Sequence, residues 1–175
     1  MKVLLAVFSL MLTSLLPAFS FLEPYTGMHI EIPDAYKPSE DSTYTSSCPY
    51  WYSFIDSNGN VLTIEIEEYM YEQTLSGHFH KTMTEADFLA EQSVVCEDLQ
   101  FQNISLGGID FTKLMVRLLA NTEVGPTSIF FCDYLFVYNH FGITISMTKH
   151  EAGPDSAAKT EQEMLKMLES LAFSY

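Results

Sequence analysis

A stretch of strict alternation limits this chain more than any other feature. Leu62, Ile64 and Ile66 fall on one side, and Thr63, Glu65 and Glu67 on the other. Period two with one apolar face is the signature of a half-buried β-strand. The preceding Asp56-Ser57-Asn58-Gly59-Asn60 is a turn sequence, because Asn and Gly tolerate positive φ. Tyr50 to Ile55, before the turn, is aromatic and strand-like. Together these residues predict a hairpin with a solvated acidic face. Its other face is apolar and requires a covering layer, which the rest of the chain must supply.

The same reasoning runs along the chain. Met28, Ile30 and Ile32 alternate with His29 and Glu31, and Pro33 ends that strand. Phe21 to Thr26 reads as a short lead-in, and the polar Asp34 to Cys48 as an exposed loop. Met70 to Met83 has no period and reads as a second loop. Thr84 and Asp87 form an approximate capping box, and Phe88, Leu89, Val95, Cys96 and Leu99 recur at helical spacing. A first helix is predicted over roughly 85–97. Phe101 to Leu106 and Ile109 to Leu119 read as strands joined by Gly107-Gly108. Ser128 to Tyr138 is a long aromatic strand, and Ile143, Ile145 and Met147 alternate in the last one. Asp155 offers an N-cap, and Met164, Leu165, Leu168, Leu171 and Ala172 make one stripe of a terminal helix. The expected fold class is α/β in the α+β sense: an α-β-α sandwich with a central antiparallel sheet and two amphipathic helices.

The N-terminus reads as an export signal. Met1-Lys2 is a short basic start, Val3 to Leu16 is uncharged and mostly apolar, and Pro17 breaks the run before Ala18-Phe19-Ser20. That apolar run is short of the ~20 residues that span a bilayer. The expectation is a signal peptide over 1–20, cleaved after Ser20, and one domain over 21–175. Without a Cys near the cleavage point, a lipoprotein anchor is not expected.

The chain carries a formal charge of −15. Its basic residues beyond Lys2 are Lys37, Lys81, Lys113, Arg117, Lys149, Lys159 and Lys166, and they do not cluster. Nucleic acid and anionic membranes both demand a basic patch, so neither is an expected partner. A cationic partner fits the charge, as does simple solubility of an exported protein. Cys48, Cys96 and Cys132 permit one disulfide in an oxidising compartment, and the spacing does not choose among the three pairings. The apolar contexts of Cys96 and Cys132 also suit buried free thiols.

The opening strand Gly27-Met28-His29-Ile30-Glu31-Ile32-Pro33 with Tyr36, the Gly107-Gly108 hairpin, the aromatic strand 130–138 and the ending Leu168-Glu169-Ser170-Leu171-Ala172-Phe173 form a pattern. This pattern resembles the PsbP-like superfamily, which includes the photosystem II extrinsic protein, DcrB-type bacterial proteins and Ran-binding relatives. The resemblance implies an α-β-α sandwich used as a binding or accessory module. It carries over no catalytic residue and no cofactor.

Several constellations of residues bear on chemistry. His78 and His80 would point to one side if extended, with Glu72, Glu85 or Asp87 as a third ligand, but a structural zinc site needs four. Asp56, Asn58, Asn60 and Glu67 mimic the spacing of a calcium loop, yet the required Gly is Val61. Carboxylate pairs such as Glu65/Glu67, Glu67/Glu68 and Glu97/Asp98 are abundant in any chain this acidic. There is no Gly-x-Ser-x-Gly elbow and no phosphate loop. Cys132, between Phe131 and Asp133 and close to Phe130 and Tyr134, reads as a core thiol. Asn103-Ile104-Ser105 is a glycosylation sequon inside a predicted strand. Tyr44, Tyr50, Trp51, Tyr52, Tyr69 and Tyr71 flank polar loops, where exposed aromatics serve binding. The reading is a secreted, non-enzymatic binding or accessory protein for a protein partner or small ligand, with no membrane contact after cleavage. Its rivals are a small secreted hydrolase assembled only in the fold, and a metal carrier using His78 and His80.

Overall fold

The computed structural model describes residues 17–39, 50–68, 94–122, 125–150 and 154–174. The elements are β1 (Ala18–Leu22), β2 (Met28–Pro33), β3 (Lys37–Pro38), β4 (Tyr50–Ile55), β5 (Val61–Glu68), β6 (Val94–Leu106), β7 (Ile109–Thr122), β8 (Gly125–Tyr138), β9 (Phe141–His150), α1 (Pro154–Glu169) and β10 (Ala172–Phe173). They form a seven-stranded sheet in the order β3-β4-β5-β9-β8-β7-β6 and a three-stranded sheet in the order β1-β2-β10. Every pairing is antiparallel.

The alternation read from the sequence becomes three rows across the large sheet. Phe54, Leu62, Met147, Cys132 and Met115 are cross-strand neighbours in the first. Tyr52, Ile64, Ile145, Tyr134 and Lys113 make the second, and Tyr50, Ile66, Ile143 and Phe136 the third, with the Phe111 ring edge-on to Phe136 at 4.9 Å between centroids. Nearly all of these side chains belong to one core. Its cover comes from Met28, Ile30 and Ile32 of β2 and from Met164, Met167 and Leu168 of α1. Phe21 of β1 adds edge-on contacts to Tyr52 and Phe54, at 5.1 and 5.3 Å between ring centroids.

Lys113 is the one charged residue in the three rows and is only 4% exposed. Its Nζ meets Glu161 Oε1 of α1 at 2.5 Å, and Lys149 Nζ meets Glu163 Oε2 at 2.6 Å. A buried ammonium left unpaired costs several kcal/mol, so the first contact fixes the helix over the sheet as well as neutralising the charge.

The structure corrects several expectations. Val95, Cys96 and Glu97 lie in β6, not in a helix, with Val95 opposite Leu119 and Cys96 opposite Leu118. Residues 85–93 lie outside the described residues. Two β-branched residues at 94–95 and a ready partner in β7 favour the strand over local helical spacing. The one helix among the described residues is α1, so only an α+β fold is shown, without the second amphipathic helix of the expected sandwich. The lead-in over 21–26 begins inside a strand: Ala18–Leu22 pairs with β2 over its whole length. Ser20 sits opposite Glu31, so a chain beginning at Phe21 keeps Phe21 and Leu22 of that strand. The stretch from Asp34 contains the short strand β3. The terminal helix stops at Glu169, and Ala172–Phe173 turns away to pair with His29 and Met28.

Ser170 makes that stop. Its Oγ donates to the Met167 carbonyl at 2.5 Å and accepts the Glu31 amide at 2.8 Å, tying the helix end to β2. A second tie lies at the β1–β2 turn. The fully buried Glu23 carboxylate accepts the Tyr25 amide, the Thr26 amide and hydroxyl, and the Tyr52 hydroxyl, at 2.7 to 3.1 Å. One carboxylate thus shapes the turn and holds the small sheet to β4. Removing it orphans those donors. Glu23→Ala is expected to cost about 3 kcal/mol in urea unfolding, with Glu23→Gln costing less.

Candidate functional site

The turns β1–β2 and β8–β9, the start of β4 and the strand β10 carry an aromatic rim along one end of the core face. Tyr25 stacks on Tyr50 with ring centroids 3.5 Å apart and planes 22° from parallel. Tyr138 stacks on Phe173 at 3.5 Å and 12°, and Phe173 also meets Phe136 edge-on at 6.2 Å. Phe141 lies opposite Tyr138 on β9, under the ring of His140 at 4.5 Å. Tyr50 and Phe136 lie in one row three strands apart, so the rim extends about 14 Å. Tyr25 is 49% exposed.

Each anchor of the rim has a local cause. Glu23 fixes the Tyr25 backbone. Gly27 sits at φ +69°, where a Cβ would stand 2.6 Å from the Ser174 carbonyl oxygen, so only glycine lets β10 approach. Ser174 returns its amide to the Gly27 carbonyl at 2.9 Å, and its hydroxyl meets His29 Nε2 at 3.2 Å. At the other end, Asn139 and His140 hold φ of 54° and 84° in a two-residue hairpin loop. Asn tolerates that region, but His carries strain there, and strain of this kind gathers at functional positions.

The sequence candidates divide. Tyr50 and Tyr52 join the rim, directly and through the Tyr52 hydroxyl on Glu23. Trp51 points to the opposite face beside Glu65. Tyr44, Tyr69, Tyr71, Cys48, Glu72, His78, His80, Glu85 and Asp87 lie outside the described residues. Among the described residues no three His, Cys, Asp or Glu side chains stand close enough to hold a metal. Asp56 is a turn carboxylate: its Oδ1 accepts the Asn58 and Asn60 amides at 2.7 and 2.9 Å, and its Oδ2 the Asn60 side chain at 2.8 Å. Burial works to raise this carboxyl, but the bonds from Asn60 and Asn58 outweigh it and hold it low. Cys96 lies on β6, and Cys132 is a free thiol on β8. They sit on opposite faces with β7 between them, out of disulfide reach. Burial, with Asp133 and Glu161 adding, pushes the Cys132 thiol far up, as an unreactive core group requires. Asn103 is exposed on β6 and accepts the Thr112 hydroxyl at 3.2 Å.

No family profile matches this chain, and no curated protein matches it in sequence. Solved structures do. The solution structure of cyanobacterial PsbP (CyanoP) from Synechocystis sp. PCC 6803 superposes with a TM-score of 0.64 at 12% identity, over 93% of this chain and 95% of that one. The fold is PsbP-like. The same PsbP-like architecture superposes on LpqN, involved in cell envelope biogenesis of Mycobacterium tuberculosis, with a TM-score of 0.50 at 9% identity over 91% of each chain. A protein from Bacteroides thetaiotaomicron VPI-5482 matches at 0.54 and 12% identity over 89% of this chain, which spans about half of that longer chain (48%). Identities this low establish the PsbP-like fold and leave function to the site.

On the far face of the PsbP-like sheet lies a group the sequence did not single out. Asp133 stands between Ser146 of β9 and Leu114 of β7, near buried Thr112, Thr144 and Leu135. The residue keeps some exposure, but its Oδ1 is buried without a hydrogen-bond partner. Burial raises its carboxyl to about 6, with Glu65 adding to the rise and a Ser146 hydrogen bond opposing it. The folded state therefore holds this proton more tightly than an unfolded carboxyl near 3.9 does. Stability from this group is fully present below about pH 4 and is lost as pH rises through 6. Asp133→Asn removes that loss. Its stability relative to the parent should grow between pH 5 and pH 7.5 by about 1.4 kcal/mol in paired urea titrations. Parallel pH profiles of the two proteins would contradict the assignment.

The strained loop gives a second expectation. His140→Gly creates Asn-Gly, the favoured pair for such a turn, and should stabilise the protein by about 1 kcal/mol in the same assay.

Proposed function

We propose that this chain is an extracytoplasmic, non-enzymatic accessory protein that binds a protein partner through the aromatic rim. The rim itself carries the reading. Two stacked aromatic pairs and a strained histidine loop converge on one end of the sheet. Tyr-rich surfaces of this kind hold most of the energy of protein interfaces while ordering few side-chain torsions. The N-terminal export pattern supports the location, as does the likeness in fold to a protein involved in cell envelope biogenesis. No helix among the described residues is long and apolar enough to cross a membrane. The two-helix sandwich belongs to this proposal as well, because buried Leu114, Val116 and Leu135 on the far sheet face call for a second covering layer.

Neither the hydrolase nor the metal carrier has an observation of its own among the described residues, so the rim reading leads. Affinity capture with the full chain, from the host's envelope and culture-fluid fractions, tests it. A partner retained by the parent should be retained at least tenfold less by Tyr25→Ala combined with Tyr138→Ala, at about 1–2 kcal/mol for each aromatic anchor. Equal retention by both proteins would overturn the reading, provided the variant's thermal midpoint shows it folded.

A further inference from the structure

The two edges of the seven-stranded sheet differ. At one edge, β3 is only Lys37–Pro38, and its proline has no amide to donate. At the other stands β6, thirteen residues long and paired along one side with β7. The outer side of such a strand presents a row of backbone donors and acceptors, and a row of that kind takes another extended strand.

Only part of β6 is guarded against this. The register breaks between Glu97 and Gln100, and the acidic pair Glu97-Asp98 lies at the break. Bulges and charges both deter a further strand. Past the break neither device remains. Residues 100–106 read Gln-Phe-Gln-Asn-Ile-Ser-Leu, without charge, Pro or Gly. Gln100, Phe101, Gln102, Asn103 and Ser105 are all exposed, Phe101 at 43%.

Charge and pattern select the strand that fits. Two copies of a chain at −15 repel each other over most of their surface. They meet without opposing carboxylates only along a neutral strip, and 100–106 is such a strip. It also complements itself. Laid antiparallel on its own copy, it sets Asn103 against Asn103, Gln102 against Ile104 and Phe101 against Ser105. Period two puts 101, 103 and 105 on one face and 102 and 104 on the other, so every side chain meets a partner on its own face.

We propose that β6 pairs antiparallel over 100–106 with the same segment of a second copy of this chain, joining two seven-stranded sheets across a two-fold axis at Asn103. The inference is independent of the aromatic rim. A contact of seven residues a side is small, so the dimer is weak, with a dissociation constant on the order of 0.1 mM.

Sedimentation velocity of the full chain from ~10 µM to ~1 mM tests this, and the parent should move from monomer toward dimer across that range. Asn103→Asp and Asn103→Lys each set like charges face to face on the axis, and each alone should weaken dimerisation about tenfold. Mixed together, the two variants should recover the dimer, because the opposed charges then differ in sign. Amide exchange supplies a readout that needs no variant: protection over 100–106 should rise with the concentration of the parent. A parent that stays monomeric to ~1 mM, a dimer indifferent to both substitutions, or a dimer without added protection over 100–106 would overturn the proposal.

Discussion

The structure depends on the one-sided burial of the β5–β9–β8 ladder. Leu62, Ile64 and Ile66 stand beside Met147, Ile145 and Ile143, and these beside Cys132, Tyr134 and Phe136. Period two fixes which side chains face the core, and a slip of one residue would turn Thr63, Glu65, Ser146 and Asp133 into it instead. That penalty sets the register, and the register in turn places everything else. It puts Lys113 under Glu161, which seats the helix. It also brings Tyr50, Phe136 and Tyr138 to the same end, where β2 and β10 deliver Tyr25 and Phe173.

The seat of the small sheet follows from two polar ties of different kinds. Glu23 spends a buried carboxylate on four donors from its own turn and from β4. Ser170 bridges the end of α1 to the Glu31 amide with a single hydroxyl. Both stand where the chain changes layer, and both act through directional bonds rather than area. Apolar packing alone would hold the layers together without fixing their angle, and the stacked aromatic pairs need that angle.

Much of this was legible in the sequence. The hairpins over 50–68 and 109–150 announced themselves through alternation and turn residues, and the resemblance to the PsbP-like superfamily matched the fold. The misreadings have physical causes. At 94–99, Val95, Cys96 and Leu99 satisfy a helical spacing, while the register break between Glu97 and Gln100 hides the strand's alternation. Phe19 and Phe21 alternate correctly, but they follow an apolar run that reads as a targeting segment. Leu171 and Ala172 continue the stripe of α1, and only the Ser170 contact with Glu31, far away in sequence, ends it. The site was half visible. Tyr50 and Tyr52 were singled out, whereas Tyr25, Tyr138 and Phe173 meet their partners across large sequence separations that local patterns do not encode.

Footprinting of the tyrosines tests the central claim most directly. Hydroxyl-radical labelling would be compared between the purified full chain and the same chain within its host's envelope and culture-fluid fractions. If the rim is the docking surface, Tyr25 and Tyr138 lose reactivity in the host fraction while Trp51, on the opposite sheet face, keeps its own. Unchanged labelling of Tyr25 and Tyr138, alongside protection appearing elsewhere on the fold, would contradict it.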